Sequence, residues 1–122
     1  MSDTNSEYPA ATATHVEEYN MLYPMLEAIL NEMKELSKKK QDAALNEMKV
    51  KMTNRILSKV KTLLEGYPTL EFLELLDDEK LPSNSDAVLI IAQFKAAMDQ
   101  YKTKNSYPER YGRVWNIHKK EK

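Results

Sequence analysis

Tyr19-Asn-Met-Leu-Tyr-Pro-Met-Leu-Glu-Ala-Ile-Leu-Asn-Glu-Met-Lys-Glu-Leu36 sets apolar side chains at Tyr19, Leu22, Leu26, Ile29, Met33 and Leu36. These steps alternate between three and four residues. That is the seam of an amphipathic helix, sustained for nearly three heptads. Pro24 interrupts it, because proline has no backbone donor and crowds the preceding turn. The apolar phase continues across Pro24, so one helix kinked at Tyr23-Pro24 is expected rather than two.

Upstream, Thr14 with Glu17 three residues later forms a candidate capping box for this helix. Residues 1–13 are rich in Ser, Thr, Asn and Ala, and are expected to be disordered. Downstream, Ser37-Lys-Lys-Lys-Gln-Asp42 breaks the phase and reads as a turn, with Asp42 as the next N-cap. A second helix carries Leu45, Met48, Met52, Ile56, Val60 and Leu63 at the same spacings and stops at Gly66-Tyr67-Pro68. Each of these helices is expected to run about 20–23 residues, roughly 30–35 Å. Matched lengths and a short join predict an antiparallel helical hairpin. Thr69 is placed to cap a short third helix over residues 70–76. Asp77 to Ser85 reads as a loop. Ser85 or Asn84 then caps a fourth helix, residues 86–104, whose Ala-Val-Leu-Ile-Ile-Ala core is apolar nearly all round and should be the most buried element. The expected fold is therefore all-α: a bundle of about four helices over residues 14–104, followed by a basic aromatic extension over residues 105–122.

Charge is segregated along the chain. Residues 1–36 carry a net −6, residues 37–61 a net +6, residues 62–99 a net −6 and residues 100–122 a net +5, so a total of −1 conceals strong local fields. Neighbouring elements of opposite sign are predisposed to pack side by side. With 122 residues the chain has room for one domain. Zero Cys excludes disulfides, thiolate metal sites and cysteine catalysis, and fits a reducing compartment. The N-terminus has no apolar stretch of the secretory kind, and the longest apolar run is far short of the ~20 residues a membrane helix needs. A cytoplasmic protein without membrane attachment is expected.

Catalytic and metal signatures fail one by one. His15 and His118 lie far apart in sequence, and the Glu-x-x-His repeats of a di-iron bundle are absent. Two glycines cannot build a phosphate-binding loop, and there is no nucleophile elbow. A carboxylate pair formed only in space stays open as a third reading, but the chain reads as a non-enzyme without metal or cofactor. The expected role is a small interaction protein (regulator, inhibitor, adaptor or subunit) that binds another protein or itself, most simply as a dimer.

Three surfaces are candidates. In the extension, Tyr107, Tyr111 and Trp115 recur every four residues beside Arg110 and Arg113. A helix starting at Pro108 would align them into a stripe of the composition found in binding hot spots. The alternative to that stripe is that the aromatics fold back and seal the bundle. On the second helix, Lys51, Arg55 and Lys59 form a row with Asn54 beside it, a pattern suited to phosphates and base edges. This row together with the basic aromatic tail gives the alternative reading, a nucleic-acid-binding regulator that uses both as contact surfaces. Finally, most methionines sit on the apolar stripes and are expected in the core, although an exposed methionine groove would accept a partner helix.

Overall fold

In the computed structural model, which describes residues 9–117, three helices pack together and a short hairpin closes one end. Helix α1 spans Ala13–Lys39, α2 spans Glu47–Leu63 and α3 spans Asn84–Lys104. Strands β1 (Ser106–Glu109) and β2 (Gly112–Trp115) pair antiparallel, with Ser106 opposite Trp115 and Tyr107 opposite Val114. The fold is mostly helical, but it is neither a four-helix bundle nor purely α.

The N-cap of α1 is Thr12 rather than Thr14. Its side chain accepts from the His15 N–H at 3.3 Å, and the Thr12 N–H donates to His15 Nδ1 at 3.0 Å. The helix runs unbroken through Pro24. Pro24 and Asn20 both face solvent, where water can satisfy the carbonyl that the proline leaves without its donor. Tyr19, Leu22, Leu26 and Met33 of the seam are buried, and so is Leu30. Ile29 and Leu36 are only partly covered, since a stripe with period 3.5 drifts round a helix with period 3.6.

Helix α2 begins four residues later than Asp42 predicts. Asn46 is the cap, with Oδ1 accepting from the Lys49 N–H at 2.8 Å. The intervening residues are used elsewhere: Leu45 N–H donates to Pro82 O, Asn84 N–H to Ala43 O, and Asn84 Nδ2 to Lys40 O. The chain around residue 44 thereby pairs with the segment leading into α3 at Ser83. Ser83 caps α3, accepting from the Asp86 N–H at 3.1 Å. Contacts between Tyr23 and Asp99, and between Lys40 and Asn84, set α1 antiparallel to α3. Groove neighbours such as Met21 with Lys59 and Glu32 with Lys49 set it antiparallel to α2.

The expected third helix is a 3-10 turn, Pro68–Phe72, continuing as extended chain. Leu73 and Leu76 are buried while Phe72 and Leu75 face out. A seven-residue helix between Pro68 and Asp77-Asp78 cannot repay its nucleation cost, and single leucines anchor an extended segment equally well. Helix α3 is not buried all round. Ala87, Ile91, Phe94, Met98 and Tyr101 form its core stripe, whereas Leu89 and Ala96 are exposed. The central helix is α1, which packs extensively on both α3 and α2.

Of residues 1–13, expected to be disordered, residues 9–13 belong to the described structure and residues 1–8 lie outside it. Ala11 is fully buried, and its N–H donates to Asn105 Oδ1 at 3.2 Å. Pro9 rests on Gly66, whose φ is +91°; a Cβ there would stand 2.5 Å from the proline ring.

Candidate functional site

The C-terminal residues do not form a helical stripe. Gly112, at φ +129°, closes a turn after Arg110 and Tyr111, and the chain returns as a strand. Alternation then sends Trp115 and Arg113 to one face and Tyr107 and Val114 to the other. Trp115 packs edge-on against Tyr19 at 5.0 Å between centroids and beside Tyr101 at 6.3 Å, with the Lys102 ammonium 5.7 Å from its ring. Arg113 latches the hairpin to α3: Nε donates to Ser106 Oγ at 2.8 Å, and Nη2 donates to the carbonyls of Ser106 and Thr103. Tyr107 and Val114 remain partly open, Tyr111 is 92 % exposed at the tip, and Arg110 lies beside the Tyr111 ring. The five tail residues are thus split between sealing the bundle and facing solvent. His118 and the lysines after it lie outside the described residues.

The basic row on α2 fares differently. Lys51, Arg55 and Lys59 are exposed side by side. Asn54 is not available to a ligand: its Nδ2 donates to Leu76 O and its Oδ1 accepts from Leu76 N–H, both at 2.9 Å. The side chain that would read a base edge instead fastens the extended segment to α2.

The expectation that most methionines are core is overturned. Met33 and Met98 are buried, but Met21 is 55 % exposed, Met25 46 %, Met48 67 % and Met52 56 %. Met21, Met25 and Met52 line one groove between α1 and α2, with Leu22, Ile29 and Ile56 beneath, while Met48 is exposed outside that lining. On α1 the outward row is Glu18, Met21, Met25, Ala28 and Glu32, and on α2 it is Met48, Met52, Arg55 and Lys59. Both rows step by three and four, so each helix carries a second seam beside the one it buries. That second row was open to sequence reading, but the longer buried seam masked it. Lys49 and Glu32 share one end of the groove. Among the described residues the ion pairs are Glu35–Lys38 and Lys95–Asp99, each within one helix, so none joins α1 to α2.

Two further features border other faces. A cleft of about 720 Å³ lies between the 3-10 turn and α3, lined by Phe72, Ile90 and Ala96 among others. At the hairpin end, Tyr23 OH donates to Asp99 Oδ1 at 2.5 Å, and Lys95 reaches both the Asp99 carboxylate and the Tyr23 ring. Burial first, then the hydrogen bond to Asp99, raises the Tyr23 hydroxyl pKa; burial likewise raises Tyr19 and Tyr101. These phenols are protonated structural groups at neutral pH. Among the described residues no three His, Cys, Asp or Glu side chains gather closely enough to hold a metal ion, and no helix is long and apolar enough to cross a membrane. Comparison with known families, characterised proteins and solved structures finds no match for this chain.

Proposed function

We propose that this is a non-catalytic helical interaction protein whose working surface is the α1–α2 groove, and that the groove receives an amphipathic helix. One observation carries the reading: three methionines, Met21, Met25 and Met52, stand exposed along a single groove. Burying a methionine side chain fully contributes about 1.5–3 kcal/mol, so leaving three half in water forgoes a few kcal/mol that a partner would recover. The unbranched thioether adapts to the side chains it meets, which suits a docking face. Charges at the rims, acidic on α1 and basic on α2, give an incoming helix an orientation. The absence of cysteine supports a reducing, cytoplasmic setting.

The test uses protein labelled with ¹³C at the methionine methyl groups. The titrant is a synthetic amphipathic peptide helix with leucine at heptad spacing and glutamate along one flank. Shifts at Met21, Met25 and Met52, with Met98 unmoved, are expected, and Met25→Glu with Met52→Glu should abolish the shift that remains observable, at Met21. A peptide that moves none of the three, or moves Met21 equally in the double variant, overturns the proposal. Retention on heparin at low salt that disappears in Arg55→Glu with Lys59→Glu would instead favour phosphate binding along the basic row.

A further inference from the structure

We infer that the helix pair occupying the α1–α2 groove is that of a second copy of this chain, forming a two-fold dimer in which each α1 lies over its partner's α2. The inference rests on the groove being a docking face and names its occupant. The argument is charge geometry. Lys59 lines the groove with Met21, and Glu18 stands one helical turn before Met21, so these two charges mark one end. Glu32 and Lys49 line the other end together. Between them the floor is apolar, with Met25, Met52 and Ile56 at its centre. Within one copy, no ion pair among the described residues bridges the two rims.

Two arrangements bring this face against itself with two-fold symmetry and the helices aligned. If the axis runs across the helices, α1 meets α1 and α2 meets α2. Glu18 then opposes Glu32 of the second copy, Lys59 opposes Lys49, and both ends repel. If the axis runs parallel to the helices and between them, α1 of each copy lies over α2 of the other at the same height. Glu18 then faces Lys59 and Glu32 faces Lys49, twice over, while the methionines close on one another. A symmetric contact must be self-complementary, and only the second arrangement is. The face has both elements of a specific interface, an apolar centre and a charged rim. Like charges at the rim also exclude the wrong register.

The test is a charge exchange on the full chain, read by sedimentation velocity at tens of micromolar protein. Wild type should sediment as a dimer. Glu18→Lys with Glu32→Lys makes the whole rim basic, and Lys49→Glu with Lys59→Glu makes it largely acidic. Each double variant alone should associate at least tenfold more weakly. Mixed one to one, they should form a heterodimer, because every opposed rim pair is then of opposite sign. None of the four is in an ion pair among the described residues, and helical circular dichroism checks that each variant folds. A monomeric wild type, variants that stay dimeric, or a mixture that stays monomeric overturns the inference. A monomeric wild type whose three groove methionine methyls still respond to the peptide helix would end this inference and leave the groove reading standing. A monomer whose methyls do not respond ends both.

Discussion

At the scale of single residues, three asparagines hold the chain's irregular segments to its helices. Asn54 clamps both backbone groups of Leu76, Asn84 reaches the carbonyl of Lys40, and the Asn105 side chain gathers Ala11, Tyr67 and Tyr101. Asn105 Oδ1 accepts from Ala11 N–H, its Nδ2 donates to Tyr67 OH and Tyr101 O, and its carbonyl accepts from Asn116 N–H. Tyr67 OH in turn donates to Pro9 O at 2.9 Å. An alanine at such a position leaves backbone donors and acceptors unpaired away from water, at about 1–3 kcal/mol for each group so stranded. Asn54→Ala and Asn105→Ala are each expected to destabilise the protein by about 2 kcal/mol or more in denaturant titration. Arg55→Ala, one residue from Asn54, should fall within about 0.5 kcal/mol of wild type, as exposed positions do. If Asn54→Ala is as mild as Arg55→Ala, the clamp does not hold the extended segment. The contrast also separates structure from recognition on α2, since the basic row is exposed and the amide beside it is engaged by Leu76.

At the scale of elements, the hairpin and the 3-10 turn show where sequence pattern gives out. All three long helices were legible, because their apolar stripes run over several turns and nothing local competes. Their starts were displaced by two to four residues, since several Ser, Thr, Asn or Asp neighbours can each cap, and the choice falls to tertiary partners such as Pro82 O taking the Leu45 N–H. The tail misled because Tyr107, Tyr111 and Trp115 are equally spaced, and a helix and a hairpin both accommodate that spacing. The discriminating signal was Gly112 between Tyr107-Pro108 and Arg113-Val114-Trp115, which are two short runs separated by a turn. Of the proposed contact surfaces, the methionine groove was legible only as a possibility, because a methionine beside a seam carries no mark of which side it faces. The hairpin geometry separates its residues. Trp115→Ala removes the ring packed on Tyr19 and Tyr101 and should lower stability by about 2 kcal/mol, lowering Tm by several degrees. Tyr111→Ala, at an exposed tip, should leave Tm unchanged within a degree or two. Equal melting of the two variants in a thermal scan would show that the hairpin does not seal the bundle.

At the scale of the whole molecule, apolar burial outranks the segregation of charge. Opposite net charge on α1 and α2 is accompanied by no ion pair between them among the described residues, while α1 has its most extensive contacts with α3. The magnitudes explain this: an exposed ion pair contributes about 0–1 kcal/mol, whereas a buried leucine or phenylalanine contributes about 1.5–3 kcal/mol. The consequence is a protein whose response to pH is set by its buried end rather than by its rims. There, Tyr19 and Tyr101 stack on each other with Trp115 packed against both, and burial, the largest cause, raises both phenol pKa values above the ordinary 10. A phenol whose folded pKa lies above its unfolded one stabilises the fold fully below the unfolded value. The contribution is lost as pH rises from about 10 through the folded pKa, because the unfolded chain gives up the proton first. Tm should therefore fall by about 5 °C or more between pH 9 and pH 11. Over that range, tyrosinate absorbance at 295 nm should keep rising as helical circular dichroism is lost. Tyr101→Phe keeps the ring and removes the ionisable proton, so it should flatten the alkaline part of the profile while changing Tm little at pH 8. Full ionisation of every tyrosine with the helical signal intact would show that these phenols are not sealed beneath the hairpin.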